Sequence, residues 1–213
     1  MSAEVLIMAK EPVPGRVKTR LCPPLSADQA AQVALAALVD TIDAALESSA
    51  SRVLLALDGN QGPWLPEGII VFRQLGDGFN RRLANAWGQA NGPTIQLGMD
   101  TPQVTPELLD NCISALLDTD VDAVIGVASD GGWWCLGQRV ANSAAFDDVP
   151  MSTETTAAAQ ASQLRTLGNR IGDLAVLRDV DCWEDALVVA SEMDGDSRFA
   201  QIVQELSKSM TLL

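Results

Sequence analysis

Residues 94–102 read TIQLGMDTP, and this short stretch decides the class of fold. The apolar segment at residues 94–99 is typical of a buried strand, and an Asp-Thr-Pro turn ends it. Residues 4–9 read EVLIMA and predict another strand, apolar on both faces as in a covered parallel sheet. Asp100 therefore follows a strand directly. It is expected at the carboxyl edge of the sheet, where open α/β folds bind ligands.

Strands and helices alternate along the whole chain. The pattern predicts strands at residues 4–9, 52–57, 68–72, 94–99, 122–127, 133–136 and 175–177. It predicts helices at residues 26–48, 78–90, 153–167, 181–190 and 198–207, and one more that begins at Pro106. This alternation favours an α/β fold with a mostly parallel sheet covered by helices on both faces. Because no linker, repeat or low-complexity tract interrupts the chain, we expect one domain, residues 1–213.

The composition excludes several classes of protein. The 213 residues include 28 Asp and Glu, 14 Lys and Arg and no His, which gives a formal net charge of −14. The lack of histidine excludes Ser-His-Asp and Cys-His catalysis and zinc or haem held by histidine. An acidic chain is also poorly suited to nucleic acid, which needs a basic face. Acid–base or metal chemistry must therefore depend on carboxylates, lysines or cysteines.

The apolar runs and the cysteines favour a cytoplasmic protein without membrane insertion. The run at residues 5–9 is too short for a signal peptide or a spanning helix, and nowhere do about 18 apolar residues follow one another. The four cysteines, at positions 22, 112, 135 and 182, form no C-x-x-C pair. We therefore expect buried free thiols rather than disulfides or a metal knuckle.

Basic residues are concentrated in the loop that follows the first strand. It contains four of the 14 basic residues: Lys10, Arg16, Lys18 and Arg20. These side chains could neutralise a diphosphate, and Gly15 would let the backbone approach it. The alternative is a solvated basic face that binds nothing. The loop is not a Walker loop, because G-x-x-x-x-G-K-[ST] is absent.

A second carboxylate follows the next predicted strand. Asp130 precedes Gly131 and Gly132, which permit positive φ and a close backbone approach. Each carboxylate also fits a plain turn, an Asp-Gly hairpin at Asp130 and the Thr-Pro turn after Asp100. Oxygen ligands of this kind are those that Mg²⁺ and Mn²⁺ prefer. Together with the cationic loop, the two carboxylates predict a metal–diphosphate site.

Further candidates lie in three short segments. Glu154 is a candidate base or acceptor contact, although Ser152 and its neighbours also fit a capped helix start. Trp133 and Trp134 are adjacent in a chain with few aromatic residues. If successive side chains point to opposite faces of the strand, one ring lies in the core and the other faces the pocket. Asp77 is a candidate either for capping the following helix or for a place near the ligand.

Four segments, in order, resemble the motifs of one family. Residues 9–21 (AKEPVPGRVKTRL) are similar to A-K-x-P-x-x-G-x-x-K-T-R-L, and residues 98–102 (GMDTP) to G-x-D-x-P. Residues 130–134 (DGGWW) resemble D-G-G-[YW]-[YW], and residues 151–155 (MSTET) resemble W-S-T-E-T. A weaker D-x-D match lies at residues 179–181. The chain thus resembles the bacterial glycosyltransferase-like group of GT-A nucleotide-diphospho-sugar transferases, part of which is assigned to arsenosugar biosynthesis.

This resemblance implies a single-domain GT-A (Rossmann-like) fold with about seven strands, a nucleotide under the opening loop and a divalent metal at Asp100. The candidate nucleotide- and diphosphate-binding residues are Lys10, Gly15, Arg16, Lys18, Arg20 and Asp77. The candidate metal ligands for Mg²⁺ or Mn²⁺ are Asp100 and Asp130, and the candidate catalytic residues are Asp130 and Glu154. The candidate substrate-pocket residues are Gly131, Gly132, Trp133, Trp134, Ser152 and Thr153.

The chain departs from the family pattern at three places. Met151 stands where the family usually has Trp, and residues 78–80 (GFN) replace a Leu-Gly-Glu-like stretch. Pro102 stands where the D-x-D of many transferases of this fold would place a second Asp. The fold is shared with phospholactate and molybdenum-cofactor guanylyltransferases, so the resemblance also covers nucleotidyl transfer.

Three functions follow from these expectations. The first is a metal-dependent glycosyltransferase with a nucleotide-diphospho-sugar donor and a small-molecule acceptor. The second is a nucleotidyltransferase, similar to the guanylyltransferases, that joins an NTP to a small phosphorylated metabolite. The third is a non-catalytic nucleotide-binding protein. The expected partners are a nucleotide sugar or NTP and a small-molecule acceptor, without nucleic acid, and a homodimer is left open.

Overall fold

Residues 4–10 form a strand in the interior of the sheet. In the computed structural model, which describes residues 2–211, β1 (Glu4–Lys10) pairs in parallel with β2 (Arg52–Asp58) and β4 (Thr94–Gly98). Its side chains alternate between two cores, with Val5 in one and Leu6 in the other. Burial on both faces explains why this strand is apolar at nearly every position.

The sheet has seven strands in the order β3-β2-β1-β4-β6-β5-β7. The remaining strands are β3 (Ile69–Arg73), β5 (Ala123–Val127), β6 (Trp133–Gln138) and β7 (Ile171–Asp173). β6 runs antiparallel to both of its neighbours, β4 and β5, and the other pairs are parallel. The predicted α/β class with a mostly parallel sheet of about seven strands is confirmed.

The predicted strand at residues 175–177 is wrong. The seventh strand lies earlier in the sequence, where β7 pairs in parallel with β5. Residues 175–177 contribute a single bridge, between Leu177 and Ala128. The carbonyl oxygen of Ala175 accepts a hydrogen bond of 2.8 Å from Trp134 Nε1, so a side chain takes the place of a neighbouring strand there.

Helices cover both faces of the sheet, as predicted. α1 (Ala27–Glu47) and α3 (Pro106–Leu117) pack on one face. α2 (Phe79–Trp87) and α4 (Thr156–Thr166) pack on the other. The predicted cap at Ser26 is confirmed, since its hydroxyl accepts a hydrogen bond from the backbone N–H of Gln29.

The fourth helix begins later than predicted. Residues 152–155 form a loop and α4 starts at Thr156. The hydroxyl of Thr156 donates to the carbonyl of Pro150 and accepts from the backbone N–H of Thr153. Ser152 has a φ of 60°, which interrupts helical geometry. The residues expected to open the helix are therefore free to line a cavity.

A third layer explains the composition of α1. α5 (Trp183–Glu192) and α6 (Arg198–Thr211) pack on the side of α1 that faces away from the sheet. By length and composition alone α1 could cross a membrane, but 61% of its most apolar window is buried inside the protein. Burial on two sides accounts for this apolar sequence, as in a core helix.

The cysteines are free thiols, as predicted. Cys112 and Cys135 are buried, whereas Cys22 and Cys182 are only partly buried. The expectation of burial therefore holds fully for two of the four.

Asp40 fixes the third layer and is open to a direct test. Its carboxylate accepts hydrogen bonds from Arg198 Nη1 (2.9 Å) and from the backbone N–H of Phe199 (2.8 Å), so a side chain of α1 caps α6. Asp40→Ala leaves the backbone N–H of Phe199 without its acceptor, and we expect it to lower the free energy of unfolding by about 1–3 kcal/mol in urea denaturation. Asp43→Ala removes a more exposed ion pair to the same Arg198 (2.7 Å) and should cost less than about 1 kcal/mol. Equal losses in the two variants would contradict this role of Asp40.

Candidate active site

The carboxyl edge of the sheet carries an open cavity of about 840 Å³. Its walls are the loop after β1, the end of β4, the start of β6, the loop before α4 and residues 179–181. Because β6 is antiparallel, it begins at the edge where the parallel strands end. This arrangement brings Trp133 to the same cavity as Asp100.

Most of the candidate residues line this cavity. They are Lys10, Arg16, Lys18, Arg20, Asp100, Asp130, Gly132, Trp133, Trp134, Ser152, Thr153 and Glu154. Gly15, Asp77 and Gly131 are not part of the lining. Gly15 and Asp77 are exposed, and Gly131 lies under the loop before α4. The role of each residue in binding or catalysis stays a prediction.

Lys18 joins three separate segments of the chain. Its side chain is 7% exposed, and the ammonium group pairs with Asp100 Oδ1 and donates to the carbonyl oxygen of Val180. Val180 in turn donates its backbone N–H to the carbonyl of Asp100 at 2.8 Å. The backbone of Lys18 has a φ of 48°, a left-handed conformation that non-glycine residues seldom adopt. The cationic loop, the end of β4 and the C-terminal segment are therefore fixed at one point.

Asp179 is a carboxylate of the cavity that the sequence analysis noted only as part of a weak D-x-D match. Its Oδ1 atom is buried and has no hydrogen-bond partner among the described residues. Burial, together with the negative charges of Asp100 and Asp130, raises the pKa of Asp179 to about 7, although Lys18 opposes the shift. The D-x-D spacing at residues 179–181 was a signal that could have placed Asp179 at the site.

The turn at Asp130 lies against the loop before α4. Asp130 Oδ1 accepts a hydrogen bond of 2.7 Å from the backbone N–H of Gly132, which closes the turn. Gly131 has a φ of +90°, and a Cβ atom there would lie 2.0 Å from the carbonyl oxygen of Glu154. The two segments are in direct backbone contact, so Asp130 and Glu154 belong to neighbouring walls of the cavity.

The two tryptophans have different surroundings. Trp134 is 2% exposed, and its ring lies over Gly126, where a Cβ atom would come within 2.5 Å of Nε1. Trp133 is partly buried and packs with Met151 against the second core. Its Nε1 atom is buried and donates to no described residue. Met151 thus contributes to the wall at the position where the family pattern has Trp.

The opposite wall contains residues that the sequence analysis did not identify: Gln74, Phe79 and Arg82. Gln74 donates its side-chain amide to the carbonyls of Ala9 and Ala56, both at 2.9 Å, and so bridges the ends of β1 and β2. Arg82 lies 5.6 Å from the centre of the Phe79 ring. Only the folding of residues 74–78 brings these side chains to the cavity, and no sequence motif marks it.

The oxygen atoms of the site suit a hard divalent cation. Within residues 2–211, no three Cys, Asp or Glu side chains lie close enough together to enclose a metal ion alone. Mg²⁺ is commonly bound by one or two carboxylates together with the phosphates of its substrate. Asp100 and the unpartnered oxygen of Asp179 fit this arrangement, with Asp130 nearby as the originally predicted second ligand.

The contact under Gly131 gives a prediction for stability. Gly131→Ala places a methyl group against the Glu154 carbonyl, whereas Gly15→Ala at a similar φ of +75° meets nothing within 4 Å. Gly15→Ala should cost about 1 kcal/mol from backbone strain alone. Gly131→Ala should cost at least about 2 kcal/mol more in urea denaturation. Similar costs for the two substitutions would show that the two segments do not pack as described.

Asp179 gives a prediction for the pH dependence of stability. Its pKa in the folded protein is about 7, and in the unfolded chain it is about 3.9. Between these values the folded state binds the extra proton, so this contribution to stability is lost as the pH rises towards 7 and above. We expect Asp179→Asn to raise the melting temperature clearly more at pH 8 than at pH 5, whereas Asp173→Asn, an exposed control, changes it at neither pH. The same gain at both pH values would contradict a raised pKa.

Solved structures show that this architecture is shared. A provisionally named nucleotide-diphospho-sugar transferase from Desulfovibrio desulfuricans G20 superposes with a TM-score of 0.86 at 22% identity, over 98% of this chain and 96% of that one. Rv0371c from Mycobacterium tuberculosis H37Rv gives 0.56 at 17% identity, over 89% and 97%. A cytidylyltransferase from Leptospira borgpetersenii serovar Hardjo-bovis gives 0.56 at 12% identity, over 99% and 96%. At these identities the similarity establishes the GT-A-like fold.

Sequence comparison identifies the family. No curated protein matches the chain significantly. The family model DUF2064, described as an uncharacterized protein conserved in bacteria, matches residues 26–153, which is more than half of the chain and includes the segments at Asp100, Asp130 and Ser152. The chain therefore belongs to the DUF2064 family.

Proposed function

We propose that this protein is a metal-dependent glycosyltransferase that uses a nucleotide-diphospho-sugar donor and a small-molecule acceptor. The observation that carries the proposal is the meeting of Lys18, from the cationic loop, with Asp100, from the end of β4, in one cavity. A cation beside a strand-end carboxylate is suited to a diphosphate and its metal ion. The shared fold with a nucleotide-diphospho-sugar transferase supports this choice.

In this proposal the cationic loop holds the donor. Arg16, Lys18 and Arg20 bind the diphosphate, and Lys10 lies at the end of β1 beside them. Arg20 is 76% exposed and pairs with Asp181 at 3.1 Å, so it can exchange this partner for a phosphate at little cost. The walls at Gln74, Phe79 and Arg82 leave room for the nucleoside on the β1–β3 side of the cavity.

The carboxylates serve the metal and the acceptor. Asp100, with Asp179 or Asp130, would hold Mg²⁺ or Mn²⁺, which supplies charge neutralisation for the leaving diphosphate. Asp130 or Glu154 would orient the acceptor and take its proton. This reaction is proposed for the cytoplasm, in keeping with the free cysteines.

Nucleotidyl transfer is the second candidate. It is favoured by the cytidylyltransferase among the structural neighbours and by Pro102, which leaves Asp100 without a second Asp two residues on. The same cationic loop would then hold a triphosphate. The products separate the two reactions, since glycosyl transfer releases a nucleoside diphosphate and nucleotidyl transfer releases pyrophosphate.

Thermal stabilisation by nucleotides tests the proposal. UDP, GDP, UDP-glucose, GDP-mannose, UTP, GTP and CTP are each added with and without Mn²⁺. A ligand at about 100 times its dissociation constant adds roughly 2.7 kcal/mol of stability. We expect a metal-dependent shift with a diphosphate or nucleotide sugar. Asp100→Asn should remove the metal dependence because the variant lacks the carboxylate charge, and Asp173→Asn should retain it.

Other outcomes of this panel have definite meanings. A preference for a triphosphate, followed by release of pyrophosphate, would replace glycosyl transfer by nucleotidyl transfer. Stabilisation by a nucleotide without any turnover would indicate a non-catalytic nucleotide-binding protein. The absence of any shift would contradict the assignment of the cationic loop to a diphosphate.

A further inference from the structure

We infer that the acceptor is an uncharged or positively charged molecule that offers a hydroxyl or amine group, and that phosphorylated and carboxylated acceptors are excluded. The inference rests on the proposed transferase function and names the substrate class of the same cavity. Its basis is the uneven distribution of charge between the two sides of the cavity.

Two carboxylates of the cavity have no cationic partner. Asp100 pairs with Lys18, and Asp181 pairs with Arg20. Asp179 also lies near Lys18, whose ammonium group donates to the carbonyl of the adjacent Val180. Within the described part of the chain, Asp130 and Glu154 form no ion pair. With Asp100 and Asp179 assigned to the metal ion, a ligand that approaches Asp130 and Glu154 meets uncompensated negative charge.

These carboxylates occupy one side of the cavity. Asp130 and Glu154 belong to segments in backbone contact, as the position of Gly131 shows. In the sheet this side corresponds to β6 and β5, whereas Lys10 and Arg16 follow β1.

Buried polar atoms without hydrogen-bond partners indicate that a ligand binds in the cavity. The residue Thr101 lines the cavity, is 1% exposed, and its hydroxyl has no hydrogen-bond partner in the described structure. The buried Nε1 atom of Trp133 is also without a partner. Buried polar atoms are almost always hydrogen-bonded, so two such atoms at one cavity call for a bound molecule. The Trp133 ring and Met151 add an apolar surface suited to the carbon face of a sugar or similar molecule.

The chemistry of the acceptor agrees with this charge distribution. A hydroxyl or amine nucleophile must lose a proton, and a carboxylate without a cationic partner can accept it. The acceptor oxygen or nitrogen forms a bond to the anomeric carbon of the donor as the bond from that carbon to the diphosphate oxygen breaks. The nucleoside diphosphate leaves with the electron pair, the proton passes to Asp130 or Glu154, and no atom is oxidised or reduced. A phosphate nucleophile is already anionic, so it needs no base and would be repelled by both carboxylates.

Titration of the indole N–H signals tests the inference without a donor or turnover. The protein has five Trp residues, and Trp133→Phe identifies the ¹H–¹⁵N signal of Trp133. The probes are methyl α-D-glucoside, D-glucosamine and D-glucose 6-phosphate at low ionic strength, where repulsion is least screened. We expect the first two to shift the Trp133 signal at concentrations about tenfold lower than glucose 6-phosphate.

Charge variants show whether the carboxylates cause the discrimination. Asp130→Asn combined with Glu154→Gln should reduce the tenfold difference to about threefold or less, because both repelling charges are gone. Asp173→Asn should leave the difference unchanged. The inference is overturned if glucose 6-phosphate shifts the Trp133 signal as readily as the glucoside, if no probe shifts it, or if the double variant retains the full difference. The nucleotide panel can succeed while this titration fails, so the two proposals are tested separately.

Discussion

The ammonium group of Lys18 is the constraint on which the geometry of the cavity depends. A cation with a side chain that is 7% exposed needs oxygen atoms around it, and Asp100 and the carbonyl of Val180 supply them. These oxygens belong to the end of β4 and to the C-terminal segment, whereas Lys18 belongs to the loop after β1. Satisfying one buried charge therefore brings three distant parts of the chain to a common point. It also limits the repulsion among the carboxylates that gather there. Burial first, and then this repulsion, raises the pKa of Asp179, and Lys18 opposes the shift.

The packing of the sheet and the shape of the cavity depend on different residues. The two cores on either side of β1 are apolar and would hold the strands in place whatever side chains stood at the sheet edge. The third layer is different, because α5 and α6 lie outside the sheet and yet follow directly on residues 179–181. By packing on α1 they keep this segment over the end of β4. A layer that contributes no strand thus helps to position one wall of the cavity.

Local pattern predicted much of this structure, and the exceptions have physical reasons. Strand length and the carboxyl edge of a parallel sheet were enough to place Asp100 beside the cationic loop. Alternation along a strand does not reveal its direction, so the antiparallel course of β6 could not be foreseen. The seventh strand was misplaced because Trp134 takes the carbonyl of Ala175, a contact between residues 41 positions apart. Burial raises the pKa of Asp179, and the sequence does not reveal this burial. Gln74 and Arg82 reach the cavity because of the way residues 74–78 fold, and no motif marks that loop.

The residues that Lys18 contacts are far from it in sequence, and this separation affects how the cavity forms during synthesis. Lys18 and Val180 are 162 residues apart in sequence, and Asp179 and Asp181 on either side of Val180 line the same cavity as Lys18. The ribosome delivers the cationic loop long before the segment that closes over it. A nascent chain that has already formed β1 and β2 therefore carries only the wall formed by the cationic loop. This loop cannot be covered until residues 179–181 have emerged and docked.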